Sequence, residues 1–261
     1  MEKEKFNATQ NKKDFLRVDY KEIETFVTEH EEEYNALMQR FISGDESLTK
    51  DELKMVYFGS YFSSKYDYEE PSDELKEAMT VRHHRPGQLP KSHCSEINDP
   101  SYVGDKRTKV VDLCRQELEK SPVNLELLRV SATVAERLHW HKRRWQIVQK
   151  KIWGEVDESL PMESEEAALY NLRRSQILNM IMETGDGKTQ ETAFKIISVS
   201  DEYEILKSMY GVGANDVMMQ SLIGDNYDRL TIEQYDPEKT IAHVFFDVSL
   251  HMRALEELLK D

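Results

Sequence analysis

Apolar residues early in the chain recur at three- and four-residue steps: Ile23, Phe26, Val27, His30, Tyr34, Leu37, Met38 and Phe41. That spacing predicts one long helix with a single buried stripe, and the acidic run Glu31, Glu32, Glu33 adds a solvated face. SGDES at 43–47 stops it. LTKDEL then starts another helix, with Thr49 as N-cap and Glu52 three residues on, the spacing of a capping box. This helix carries LKMVYFGSYF at 53–62, aromatic on several faces, so neighbours must cover more than one side. Its Tyr57, Phe58 and Tyr61 are expected to fill the core rather than line a groove.

A short helix is expected at 72–81, after Pro71. Residues 82–105 hold three prolines and two glycines and read as irregular. Residues 107–153 read as three helices in quick succession. Val110, Val111, Cys114 and Leu118 mark the first, and Pro122 opens the second, whose inner face is Leu125, Leu128, Ala132 and Ala135. Leu138, Trp145, Val148 and Ile152 mark the third. Short-jointed helix pairs suggest tetratricopeptide-like hairpins, although no second copy recurs at a 34-residue period.

The last hundred residues change period. A helix at 163–183 is followed by AFKIISV at 193–199, which reads as a strand. DEYEILKSMYG is a short helix, with Ser200 as N-cap and Gly211 as stop. RLTIEQY at 229–235 and TIAHVFFDVSL at 240–250 form an antiparallel hairpin around DPEK. The returning strand is apolar on both faces, so it belongs inside the sheet. A helix at 250–260 closes the chain. The expected class is α+β. A polar tail at 1–18 leads into a single domain at 19–261, in which a helical part (19–154) packs on a small antiparallel sheet of about three strands with a covering helix (155–261).

Within this frame, GDGKT at 185–189 ends like a phosphate-binding loop. Such a loop needs an earlier glycine where Met182 stands, and a strand before it with a helix after it. Here the order is reversed. The simpler reading is a left-handed helix stop at Gly185, a turn at Asp186-Gly187 and a strand start.

The segments SLTKDELKMVYFGSYF (47–62), ETGDGKTQETAFKIISVSDEYEIL (183–206) and VFFDVS (244–249) together resemble an uncharacterised family common in Bacteroidota, domain of unknown function 4919. The resemblance spans roughly residues 20–250. It implies a shared fold and brings no activity, substrate or site residues.

Charge adds a contrast. The 261-residue chain is 39% hydrophobic and 33% charged, with a net charge of −15, which repels nucleic acid and anionic membranes. Residues 1–78 carry 11 basic and 20 acidic side chains, 79–154 carry 15 and 8, and 155–261 carry 9 and 22. The basic middle includes HWHKRRWQIVQKKIWGE at 139–155, with all three tryptophans. Lys142, Arg143, Arg144, Lys150 and Lys151 there form a candidate face for an acidic protein partner. Their simpler role is to face acidic segments of the same chain.

Candidate ligand chemistry gathers at Asp186, Lys188 and Thr189 in the turn and at Asp201, Glu202 and Tyr203 at a helix start, where capping and the helix dipole also favour acids. His83, His84, His93 and Cys94 lack the spacing of a zinc site. No nucleophile–base pair shows a local motif. Two cysteines are too few for a disulfide framework, and no cofactor or metal is expected. No apolar run approaches the roughly 20 residues of a membrane helix. The chain as given shows no leader and reads as cytoplasmic, or as periplasmic or exported if a leader was removed. The leading function is a non-catalytic interaction or scaffold protein. The rival is a small-ligand binder or enzyme with its site near 185–189 and 201–203.

Overall fold

The computed structural model describes residues 15–66, 72–75, 100–153, 163–233 and 240–259. Within these spans the side chains of 100–107, 144, 145, 147–153, 257 and 258 are left aside. The helices are α1 (Tyr20–Glu29), α2 (Glu31–Ile42), α3 (Lys50–Phe62), α4 (Pro100–Lys120), α5 (Leu125–Trp153), α6 (Glu165–Thr184), α7 (Val199–Tyr210) and α8 (Ser249–Leu258). The strands are β1 (Phe194–Lys195), β2 (Val217–Ile223), β3 (Tyr227–Glu233) and β4 (Ile241–Asp247). The protein is α+β, as its periodicities predict.

Several boundaries differ from expectation, each for a local reason. The first helix is two, broken at His30, whose φ of −126° and ψ of 46° leave the helical region. The apolar stripe runs on across the break, so periodicity alone hides it. Glu31, Glu32 and Glu33 form the first turn of α2, where the helix dipole favours acids. Thr49 caps α3 with the expected capping box. Of the helix expected at 72–81, only 72–75 are described, and His83, His84, His93 and Cys94 lie outside the described residues. α4 begins at Pro100, inside the stretch read as irregular, because proline suits a first helical turn.

The three helices expected over 107–153 are two. No glycine or proline interrupts 125–153, so α5 continues through the expected joint. It starts after Pro122, where Asn124 Oδ1 accepts the Leu127 N–H at 2.9 Å. α7 is capped two residues earlier than expected, by Ser198 instead of Ser200, and stops at Gly211 in the left-handed region as predicted. Gly185 is not a left-handed cap. Its φ of −171° is extended, and the positive φ falls on Gly187.

The sheet has four strands in the order β1-β4-β3-β2. β2, β3 and β4 form an antiparallel meander, and β4 lies inside the sheet as its two apolar faces require. Two corrections apply. The segment at 193–199 pairs over two residues only, parallel to β4, so the sheet is mixed. β2 was not expected, because its apolar side chains face solvent: Met218, Met219 and Leu222 are 60%, 48% and 50% exposed.

One large apolar cluster joins α1, α2, α3, the C-terminal half of α6, α7 and the sheet, around Tyr34, Tyr57, Phe58, Phe194 and Phe246. A second joins α4, α5 and the start of α6 through Cys114, Leu128, Ala167 and Tyr170. Tyr57 and Phe58 are core residues, as expected.

Candidate functional site

The first turn of α7 is unusual in what it buries. Asp201, Glu202 and Glu204 are 3%, 0% and 4% exposed. Burying a carboxylate without partners is costly, so the partners of each acid reveal its role.

Asp201 is a tertiary tie. Tyr57 donates its hydroxyl to Asp201 Oδ2 at 2.6 Å, and the same hydroxyl accepts the Ile197 N–H at 3.1 Å. The Leu125 N–H at the start of α5 also donates to this carboxylate. Burial pushes the Asp201 carboxyl up to about 7, and the nearby Glu204 charge adds to it. The hydrogen bonds act in the opposite direction.

Glu204 is an ionic tie. Its two oxygens accept from Arg129 Nε at 2.6 Å and Arg174 Nη2 at 2.9 Å, linking α7 to α5 and α6. Both oxygens are satisfied and both cations sit in good geometry.

Glu202 is neither. It faces the sheet, where Asp228 of β3 lies opposite Leu222 of β2 and Phe246 of β4. Gln220 of β2 donates Nε2 to Asp228 Oδ2 at 2.6 Å and, at 3.4 Å, to Glu202 Oε2. Tyr203 donates its hydroxyl to Gln220 Oε1 at 2.9 Å. Among the described residues Glu202 Oε1 meets no hydrogen-bond donor. Burial raises the Glu202 carboxyl far above the ordinary range, and the Asp228 charge and a hydrogen bond shared with Asp228 raise it further. The Glu202 carboxyl therefore favours its protonated form near neutrality. The Asp228 charge also reaches His251, although burial keeps that imidazole below its usual value.

The turn at 186–189 is self-contained. Asp186 Oδ1 accepts from Thr192 Oγ1 at 2.6 Å and from the Lys188 N–H at 3.1 Å. Burial opposes ionisation of Asp186, but these bonds prevail and hold its carboxyl below the usual range. The Asp186 and Gly187 N–H groups both donate to Thr192 O, and the Thr189 N–H donates to Thr192 Oγ1. The backbone donors that a phosphate would need are thus engaged within the turn, and Lys188 Nζ lies 3.4 Å from Asp186. The turn's charges are felt by Tyr210 at the C-terminal end of α7, whereas Asp201, Glu202 and Tyr203 occupy its N-terminal end. The six candidate ligand residues form two groups.

On α5, Arg143 lies over the Trp140 ring at 5.7 Å, and Trp140 is 49% exposed. Burial raises the Glu166 carboxyl of α6, but Arg115, Tyr170 and, less strongly, Lys142 hold it below its usual value. That supports pairing within the chain for this part of the basic face. Arg144, Lys150 and Lys151 continue the same helix, but their side chains lie outside the described residues. Among the described residues, no three acidic, histidine or cysteine side chains converge as a metal site, and no helix is long and apolar enough to cross a membrane.

The segments that resemble a known family meet in space. Tyr57, from 47–62, bonds Asp201, from 183–206, and Phe246, from 244–249, pairs with Phe194 of that same middle segment. Over residues 21–154 and 156–257 the chain matches a domain of unknown function, DUF4919. The chain belongs to this family. No curated protein and no solved structure matches it. For this DUF4919 chain, sequence reasoning missed Gln220 and Asp228. The signal for Asp228 was present. Extending the alternation of Leu230 and Ile232 back two residues puts an acid on the apolar face.

Proposed function

We propose that the protein is a non-catalytic interaction protein that binds an extended segment of a partner along the outer edge of β2. The observation that carries this reading is the character of that edge. Among the described residues β2 ends the sheet; it runs VMMQSLI without charge or proline and exposes Met218, Met219 and Leu222. Sheet edges in soluble proteins are ordinarily guarded by lysine, proline or a covering element, because their open N–H and C=O groups template further pairing. A seven-residue uncharged edge on a chain that is one-third charged fits a surface meant to be paired.

A partner segment suits the edge better than a second copy does. Antiparallel pairing of β2 with itself would bring Asp216 and Asp225 of the two copies together, on chains of net charge −15. The helical layer of α4, α5 and α6, read as tetratricopeptide-like hairpins, would serve as a rigid backing. The basic residues of α5 would offer an accessory face to acidic parts of the partner. The rival reading, a ligand or enzyme site made from the turn and from Asp201 to Tyr203, asks both groups to face one cavity, and they sit toward opposite ends of α7.

The test is a selection of random decapeptides displayed on phage against the full chain and against a Met219→Lys/Leu222→Lys variant. The reading expects extended, β-branched peptides enriched on the parent and lost on the variant. Equal enrichment on both would overturn it.

A further inference from the structure

Glu202 stands apart from its neighbours on α7. Asp201 and Glu204 have their oxygens occupied by Tyr57, Arg129 and Arg174, while Glu202 Oε1, fully buried, has no donor among the described residues. Beside it is a second carboxylate, Asp228, 7% exposed. What covers the pair is Gln220, which lies on the edge strand itself and is exposed, braced by Tyr203. Gln220 opposes Leu230, and Leu222 opposes Asp228, so Gln220, Leu222 and Asp228 project from the same face of the sheet. A strand added beyond β2 would place alternate side chains on that same face, next to Gln220 and Leu222, within a long side chain's reach of the acids.

Resting on the strand-addition reading above, we propose that the docked segment carries an arginine or lysine whose cationic head is received by Glu202 and Asp228 beneath Gln220. The argument is one of donors and charge. Gln220 supplies a single nitrogen, close to Asp228 and stretched to Glu202. A guanidinium supplies five N–H groups and an ammonium three, which meets both the stretched oxygen and the orphaned one. Two buried acidic side chains side by side call for a positive partner, and one basic head supplies it in a setting where water competes poorly. Tyr203 and Gln220 sit where a side chain entering from the edge must pass, and they move aside without disturbing the Asp201 or Glu204 ties. The groups facing the pair from the packed elements include Asp201 and Tyr203 on α7, Gln220 on β2 and His251 on α8.

The decapeptide selection is repeated on Glu202→Gln, which is isosteric with the protonated acid and keeps the fold, and on Asp228→Asn as an independent variant. On the parent, the enriched peptides are expected to fix one basic residue amid alternating β-formers. On Glu202→Gln the alternation persists and the basic position is lost. A parent-selected peptide binds the variant at least tenfold more weakly, and its Arg→Gln or Lys→Gln analogue loses affinity for the parent only. Peptides that pair with the edge but fix no basic residue, or keep it equally on both variants, overturn this proposal and leave strand addition standing. Failure to enrich any edge-dependent peptide on the parent overturns both.

Discussion

Tyr57 on α3 donates its hydroxyl to Asp201 Oδ2 at 2.6 Å, joining residues 144 positions apart in the chain. The same oxygen accepts the Ile197 N–H just before α7, so one phenol satisfies an acid and a backbone donor at once. Replacing Tyr57 with Phe removes one oxygen from a fully buried site, orphans the Ile197 N–H and leaves Asp201 Oδ2 without its phenol donor, while the Leu125 N–H still reaches the Asp201 carboxylate. Each loss costs about 1–3 kcal/mol. Tyr57→Phe is therefore expected to lose about 2–5 kcal/mol in urea denaturation, with an unchanged m-value. A loss below about 1 kcal/mol would show that water reaches the site and that the bond is dispensable.

Glu204 is the hub of a second long-range tie. Its side chain is 6% exposed, against 29% for Arg129 and 19% for Arg174. Removing the shared carboxylate leaves two guanidiniums facing each other. Because both cations retain some contact with water, Glu204→Gln is expected to cost about 2–3 kcal/mol rather than the full penalty of a buried charge. Arg129→Met should cost less, since Arg174 still neutralises Glu204. Denaturation of the three proteins at one pH checks the order.

These ties explain what the sequence could and could not reveal. The capping box at Thr49 and Glu52 and the interior position of β4 were legible because they depend on neighbours in sequence or on a doubly apolar pattern. The break at His30 was not, because the stripe from Ile23 to Phe41 stays on one face across it. β2 escaped because VMMQSLI turns its apolar residues to solvent, and it is a strand only because β3 supplies its ladder. The acids of α7 read correctly as a helix start. Their division into two structural ties and one unexplained carboxyl depends on Tyr57, Arg129, Arg174 and Asp228, which come from four other elements.

The GDGKT turn yields a conformational prediction. Gly187 has a φ of +66°, and a Cβ there would lie 2.5 Å from Phe194 Cε2 and 3.1 Å from Val244 Cγ1. Gly211 has a nearly equal φ of +71°, with nothing within 4 Å of a Cβ. Alanine at 211 meets only backbone strain, about 1–2 kcal/mol. Alanine at 187 adds a clash with two core side chains, about 1–3 kcal/mol more. Gly187→Ala should thus lower the melting temperature clearly more than Gly211→Ala. Equal shifts would mean that Phe194 yields freely.

The Glu202–Asp228 pair sets a pH dependence whose sign can be worked out. The Glu202 carboxyl, with an ordinary value of 4.5, is pushed up to about 9 by burial, then by the Asp228 charge and a shared hydrogen bond. Between those limits the folded protein keeps a proton that the unfolded chain has released. Stability therefore falls as pH rises, by up to about 1.4 kcal/mol per pH unit for each retained proton. Asp201, raised by burial from 3.8 to about 7, contributes in the same direction over the lower part of the range. His251, lowered by burial, works the other way near its ordinary 6.5. Glu202→Gln isolates the first effect, because it retains Asp201 and His251. Parent and variant should be similarly stable near pH 4, and the variant should gain on the parent steadily toward pH 9, as read from urea midpoints at each pH. Parallel profiles across that range would mean that Glu202 ionises in the folded state as readily as in the unfolded chain.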